Sequence, residues 1–277
     1  KSYLGLLFKM VDLPIRPNFW DFQYKINHRF NDKTTLTAIG IGAIDNFSFA
    51  PTKKSTPENI YVLRSTPYVN QWTYTLGFTL NRKIKNGFMN FIVSRNMFET
   101  TLDKFQDQNK IEQNRTLFVK SHEAENKFRF DYNKLINGWR LSAGLDAQYV
   151  GYAGDIFNKI SNEIRDSSGH IISPEKTIAF NSSINFWKYG FFAQAAKRFL
   201  NDNLLLSGGF RSDMNSMTIT GNNPLKTFSP RLSASYRINN EWNINASTGI
   251  YFKAPIYTAL GFKDSAGNYI NKDMDYT

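Results

Sequence analysis

Apolar and polar residues alternate along much of this chain with the two-residue period of a β-strand. In the clearest stretch, every second position from Trp72 to Leu80 is large and apolar, and the positions between them are threonine or glycine. One face of that strand is therefore apolar and aromatic, while the other carries no large apolar group. A soluble sandwich would place more charge on its second face. The pattern favours a transmembrane β-barrel with a lipid-facing wall and a wet interior.

Ten segments show this alternation, at about residues 19–30, 34–45, 70–82, 88–98, 121–134, 138–150, 186–199, 204–213, 228–238 and 241–253. Their lengths match or exceed the roughly 9–11 residues that a tilted membrane-spanning strand needs. Strands of soluble proteins usually have about five or six residues. We therefore predict an all-β, antiparallel fold with about ten wall strands in this chain.

Short and long connections alternate between these segments. The short turns are rich in residues that tolerate positive φ angles, and lie at 31–33, 85–87, 136–138, 201–203 and 239–240. The long connections run at about 46–69, 99–120, 152–184, 214–227 and from 254 onward. All tight turns thus lie at one end of the predicted sheet and all large loops at the other, as in outer-membrane barrels.

Six charged side chains within the segments fall opposite the aromatic stripe. Arg140, Asp146 and Arg231 are examples, and we assign them to the barrel interior because an Arg on the lipid face costs about 2–4 kcal/mol near the midplane. The five Trp residues each lie near the start of a predicted strand. That position predicts aromatic girdles at the membrane interfaces.

Composition limits the alternatives. The 277 residues are 41% hydrophobic and 16% aromatic, and no apolar run reaches the roughly 20 residues of a membrane helix. The net charge is +11, but the Lys and Arg residues are dispersed, so we predict no nucleic-acid partner. The chain has no Cys, which excludes disulfides and a thiolate nucleophile.

We find no arrangement of residues that indicates catalysis. His28, His122 and His170 lack metal-ligand spacing, and no glycine-rich loop opens a helix. Several Asp residues near loop-side strand ends leave a paired-carboxylate hydrolase open as an alternative. We predict no catalytic residue, no metal site and no cofactor.

Residues 228–255 carry a family resemblance. Ser229-Pro230-Arg231 with Tyr236 forms one strand, a two-Asn turn follows, and the next strand reads Ser247-Thr248-Gly249 and ends in Phe252-Lys253-Ala254-Pro255. This hairpin resembles the mid-barrel signature of TonB-dependent outer-membrane receptors. Asp21, Gln23 and Lys25, and residues 37–47, also resemble barrel segments of that family.

The resemblance implies a 22-stranded barrel with an N-terminal plug, in the outer membrane of a Gram-negative cell, that imports a scarce nutrient with energy relayed by TonB. Residues 1–277 would be an interior section of that barrel, without the plug and the last strands. The implied ligand is a siderophore, haem, cobalamin, glycan or peptide. The implied partners are this small nutrient ligand, the TonB complex acting through the plug, and outer-membrane lipid. A surface lipoprotein remains open as a further partner.

Residues that touch a substrate should face the interior near the loop-side strand ends. The candidate substrate-binding residues are Asp21, Gln23, Asn96, Gln148, Lys188, Arg211 and Asp213. For each of them the alternative is a solvated wall residue, because such interiors are polar throughout. Three other functions stay open at this point: a closed ten-stranded barrel enzyme, a passive porin and a soluble β-sandwich binding module.

Overall fold

The computed structural model describes residues 3–50, 55–264 and 266–274. Ten strands form one antiparallel sheet in which each pairs with the next one along the chain, apart from an inserted hairpin. The sheet strands are β1 (Ile15–Asn31), β2 (Thr34–Phe49), β3 (Tyr68–Ile84), β4 (Gly87–Phe105), β5 (Arg115–Ile136), β6 (Trp139–Ser161), β9 (Lys176–Phe199), β10 (Leu204–Asn215), β11 (Ser229–Arg237) and β12 (Asn243–Gly249).

The other elements are short. Strands β7 (Ile164–Arg165) and β8 (Ile171–Ser173) form the inserted hairpin, and the α-helices are α1 (Leu4–Met10), α2 (Pro57–Ser65) and α3 (Tyr257–Leu260). Thr56 caps α2, because its hydroxyl oxygen accepts from the backbone N–H of Asn59. Among the residues described, no helix is long and apolar enough to cross a membrane.

All ten predicted strands are present, and the alternation of tight turns and long connections is confirmed. The predicted loop-side boundaries are wrong for the middle strands. Residues 152–184 are not one connection: β6 continues to Ser161, β9 begins at Lys176, and the hairpin lies between them. The sequence pattern misses these extensions because the alternation lapses toward the loops. The prediction of a strand over 241–253 is also wrong at both ends, since β12 contains only Asn243–Gly249.

Positive φ angles occur in three of the five predicted tight turns, and the prediction is wrong for those at 31–33 and 239–240. Asn86, Asn137 and Gly138 have φ angles of 57°, 49° and 79°. In the turn after β9, however, the positive φ angles begin at Leu200. A leucine in this conformation was not predicted, because Asn, Asp and Gly adopt it more readily.

The sheet has two distinct faces. The aromatic face carries Trp72, Leu76, Phe78 and Leu145, whose side chains are 38–48% exposed. On the same face, the rings of Tyr24 and Phe22 lie over Gly40 and Gly42: a Cβ at either glycine would lie 2.1–2.2 Å from a ring carbon. These glycines therefore make room for neighbouring aromatic rings.

Aromatic pairs on this face lie at two levels. Tyr149 and Trp187 have ring centroids 5.1 Å apart toward the loops, and Trp139 and Phe199 pack at 6.5 Å next to the tight turns. The prediction that every Trp lies near a strand start is wrong for Trp187, which lies in the middle of β9 because that strand extends further toward the loops.

The opposite face, here called the polar face, is covered at its loop-side end. Residues 250–264 and 266–274, here called the return segment, fold back across it after β12. Leu260 of α3 packs with Val150, Tyr152, Ile184 and Phe186, which are at most 4% exposed. This cluster is the main buried core of the described chain, and it fixes the return segment over β6 and β9.

Candidate functional site

Lys188 of β9 lies at the centre of the polar face. It is directly opposite Gln148 of β6, and its ammonium donates to the Tyr257 hydroxyl at 2.8 Å. The Tyr257 hydroxyl in turn donates to Glu125 Oε1. Glu125 also pairs with Lys127 at 2.7 Å. The wall strands β5 and β9 are thereby joined to the return segment through one polar chain of contacts.

A second charged group lies beside the first. The Arg211 guanidinium donates through Nε to both carboxylate oxygens of Asp213, at 2.9 and 2.7 Å. Its Nη2 reaches Asp213 at 2.5 Å and Asp146 at 3.2 Å. Gly190 leaves space for these carboxylates, since a Cβ there would lie 2.7 Å from Asp213 Oδ1. Arg211 thus holds together one carboxylate of β6 and one of β10, two strands that β9 separates.

A groove of about 310 Å³ extends from Arg211 toward the tight turns. Three arginines line it, and two of them contact rings: the Arg129 guanidinium lies 5.5 Å from the Phe192 ring centroid, and that of Arg231 lies 4.7 Å from Tyr251. Cationic groups beside aromatic rings suit a solute that carries negative charge or a flat conjugated surface.

The return segment has its own internal bonds. Asp264 accepts from the backbone N–H groups of Asn268 and Ala266, at 2.8 and 2.9 Å. These donors, above all that of Asn268, lower the pKa of Asp264. The Tyr269 hydroxyl donates to the Ser183 carbonyl at 2.6 Å and ties the segment to β9.

The structure brings five of the seven candidate residues together. Four of them lie on the polar face of the consecutive strands β6, β9 and β10: Gln148, Lys188, Arg211 and Asp213. The fifth, Asn96 of β4, lies opposite Glu125 of β5. Asp21 and Gln23 are not part of this group. They lie exposed on β1, which is separated from β4 by two strands.

Four residues of these two groups of contacts were not candidates, namely Glu125, Lys127, Asp146 and Tyr257. Glu125 could have been found from the sequence, because it alternates with Lys127 and Arg129 on the same face of β5. Tyr257 could not, because it follows the wall strands and reaches Glu125 only through the fold of the return segment. Within the described residues, no group of three or more His, Asp or Glu side chains could hold a metal ion.

Comparison with known proteins defines the class. The family model described as "TonB dependent receptor-like, beta-barrel" matches residues 16–275. The chain therefore belongs to the β-barrel family of TonB-dependent receptors, and the structure describes a fragment of such a barrel. The resemblance of the hairpin at residues 228–255 is thus confirmed. A search of curated protein sequences finds no significant match.

Three solved structures show the same fold at low sequence identity. The copper transporter OprC is 12% identical, with a TM-score of 0.62 over 90% of this chain and 39% of its own. The ferric enterobactin receptor PfeA from Pseudomonas aeruginosa is 16% identical, with a TM-score of 0.61 over 90% of this chain and 35% of its own. The RagAB peptide transporter is 11% identical, with a TM-score of 0.54 over 88% and 34%.

This chain therefore spans between one third and two fifths of the length of these three structures. Their names describe receptors and transporters, and none describes an enzyme.

Proposed function

We propose that this chain forms one section of the barrel wall of a TonB-dependent importer in the outer membrane of a Gram-negative cell. The family match across residues 16–275 carries this proposal. In the sheet as described, β1 and β12 each pair along one edge only. Because open strand edges are not tolerated in hydrocarbon, the wall continues on both sides, and a 22-stranded barrel around a plug domain is the closed form that we propose.

The two faces of the sheet fit this arrangement. The aromatic face would contact acyl chains, and its two levels of aromatic pairs would lie at the two membrane interfaces. The polar face would line the lumen. Charged residues such as Arg211 and Lys188 lie on that face in the middle of β9 and β10, where water would solvate them.

Substrate contact is proposed for the clustered residues of the polar face. Lys188, Arg211 and Asp213, with Gln148 and Asn96, combine both signs of charge with neutral amides near the return segment. Such a surface would bind a polar nutrient through charge-assisted hydrogen bonds. Asp21 and Gln23 would contact the substrate only if the substrate also touches the polar face at β1.

The transport step would use no bond chemistry. A nutrient would bind at the loops and the lumen wall, and TonB would then rearrange the plug. A siderophore, haem, cobalamin, a glycan or a peptide remains the proposed class of cargo, and a surface lipoprotein could cap the loops. The arginine groove beside Phe192 and Tyr251 favours the anionic or conjugated members of that set.

Energised uptake tests the proposal. Cells that express the full-length receptor would be supplied with one labelled member of each cargo class, with and without a protonophore. We expect accumulation of one class, abolished by the protonophore, and weakened when Lys188 is changed to Met. A Lys85→Met variant in a tight turn is the matched control, and should transport normally. Accumulation that continues unchanged with the protonophore would indicate a passive porin instead.

A further inference from the structure

Arg95 is a charged residue on the aromatic face, as are Arg82, Glu99 and Lys197. It lies on β4 between Val93 and Met97, on the aromatic face, and it is opposite Leu76 of β3 and Asn126 of β5. Its side chain is exposed. An Arg at this place is costly unless a partner accepts its hydrogen bonds.

Protein groups accept hydrogen bonds from only some of the N–H donors of the Arg95 guanidinium. Nε donates to the Tyr74 hydroxyl at 3.0 Å, and Nη1 donates to Asn126 Oδ1 at 2.8 Å. None of the ion pairs found among the described residues involves Arg95. The nearby Glu99 is paired with His122 at 3.3 Å. Arg95 is thus held in position by neutral groups and keeps its positive charge available.

Two grooves meet at Arg95 on this face. Toward the tight turns lies an apolar groove of about 500 Å³. Its apolar side chains are those of Leu76, Phe78, Val93, Phe128, Tyr149 and Trp187. Toward the loops lies a polar groove of about 270 Å³. Small residues form its floor, and His122, Asn126, Ser183 and Asn185 supply its polar groups.

Along the strands, the apolar groove, Arg95 and the polar groove follow one another in the order of the tail, charged group and head of an amphiphilic molecule. Acyl chain would fill the apolar groove, a negative group would meet Arg95, and a hydrogen-bonding head group would fill the polar groove. Arg95 lies in register with Asn126, Tyr149 and Trp187, that is, at the level of the loop-side aromatic pair. Under the proposed function, this level is the outer interface of the membrane.

We propose that Arg95 and the two grooves form a binding site for a phosphorylated glycolipid on the outside of the barrel. The phosphate would take the free guanidinium donors, because planar Arg donors match phosphate oxygens. Sugar hydroxyls suit the neutral Asn, Ser and His groups of the polar groove, which carries no second cation to favour a simple anionic phospholipid head. The inference rests on the proposed function in taking the aromatic face to be the lipid face and the loop-side level to be the outer interface.

Native mass spectrometry of the intact full-length receptor in detergent tests the site. The probes are bis-phosphorylated lipid A, the same glycolipid without phosphates, and phosphatidylglycerol. We expect wild type to retain one phosphorylated glycolipid, and Arg95→Gln to weaken its binding about tenfold, as for loss of one charge-assisted contact. The glycolipid without phosphates should bind wild type as weakly as the phosphorylated form binds Arg95→Gln.

Two further variants sharpen the result. Val93→Trp should weaken binding by filling the apolar groove while leaving Arg95 in place. Arg82→Gln removes the same charge from the aromatic face at the tight-turn end of β3, and should bind the glycolipid as wild type does. Heat-modifiable electrophoretic mobility would show that each variant is folded.

Equal glycolipid binding by wild type and Arg95→Gln would overturn the inference, and so would phosphatidylglycerol binding as tightly as the glycolipid. A bimane label at Leu145, exposed on the same face, separates this from failure of the proposed function. If brominated phospholipid quenches that label but no glycolipid binds, the inference alone fails. If the label is shielded from lipid, the barrel orientation in the proposed function fails.

Discussion

Lys188 and Tyr257 lie 69 residues apart in the chain, yet the lysine ammonium donates to the tyrosine hydroxyl at 2.8 Å. The same ammonium lies 4.8 Å from the Tyr257 ring centroid. The tyrosine ring also packs against Phe186 at 5.8 Å. One side chain of the return segment is therefore held both by charged groups of the polar face and by the apolar cluster around Leu260.

Changing Tyr257 to Phe separates these two contributions. The variant loses the hydroxyl contacts to Lys188 and Glu125 but keeps the ring, so we expect about 1 kcal/mol of local destabilisation. Amide hydrogen exchange of residues 257–262 should then become about fivefold faster, with the rest of the wall unchanged. Tyr257→Ala should expose these amides further. Tyr236→Phe, on the exposed aromatic face, is the control, and equal exchange in both Phe variants would contradict the role of the hydroxyl.

The two carboxylates around Arg211 should contribute unequally. Asp213 accepts from two guanidinium nitrogens, whereas Asp146 accepts from one at 3.2 Å. All three side chains are between a quarter and a third exposed, so solvent reduces each contribution. We expect Asp213→Asn to lower the free energy of unfolding by about 1–2 kcal/mol and Asp146→Asn by less than about 1 kcal/mol. Urea unfolding in detergent measures both, and the reverse order would disagree with the geometry.

Gly190 should not tolerate a side chain. A Cβ at this position would lie 2.7 Å from Asp213 Oδ1 and 2.9 Å from the Ser212 carbonyl oxygen, so Gly190→Ala must displace the backbone or the ion pair. We expect a loss of about 1–3 kcal/mol in the urea experiment. Gly77→Ala is the matched control, because its Cβ would meet only side-chain atoms, the nearest being Ile39 Cγ1 at 3.3 Å. Equal stability of the two variants would contradict this account.

Lipid contact of the aromatic face can be measured directly. Nitroxide labels at Leu76 and Leu145 should be accessible to oxygen, which dissolves in acyl chains, and protected from a water-soluble nickel complex. A label at Ser142 on the polar face of β6 should show the opposite preference. Preference for the nickel complex at Leu145 would mean that this face meets water and that the wall is not a barrel wall.

The sheet could be predicted from the sequence because its alternation is local. Each face of a strand meets one environment, so residues such as Leu141 and Ser142 record that environment in two-residue steps. Toward the loops the alternation ends: Asn181 and Ser183 of β9 are polar although they lie on the aromatic face. The extension of β9 was therefore not predicted.

The candidate site was accessible to sequence reasoning only within the wall. Lys188, Arg211 and Asp213 could be assigned to one face by parity, and their neighbours follow from strand order. Asp21 satisfied the same criteria but lies several strands away, because parity fixes a face and not a position along the sheet. No sequence pattern indicated Tyr257, because its position depends on how the return segment crosses the polar face.

Strands β5, β6 and β9 have 22, 23 and 24 residues, about twice what a tilted crossing requires. At about 3.3 Å per residue, roughly a dozen surplus residues in each would, in the proposed barrel, carry the paired strands well above the lipid head groups. A cargo molecule that approaches from outside the cell would therefore contact this paired sheet before it reached the membrane surface. The same holds for an antibody or a phage.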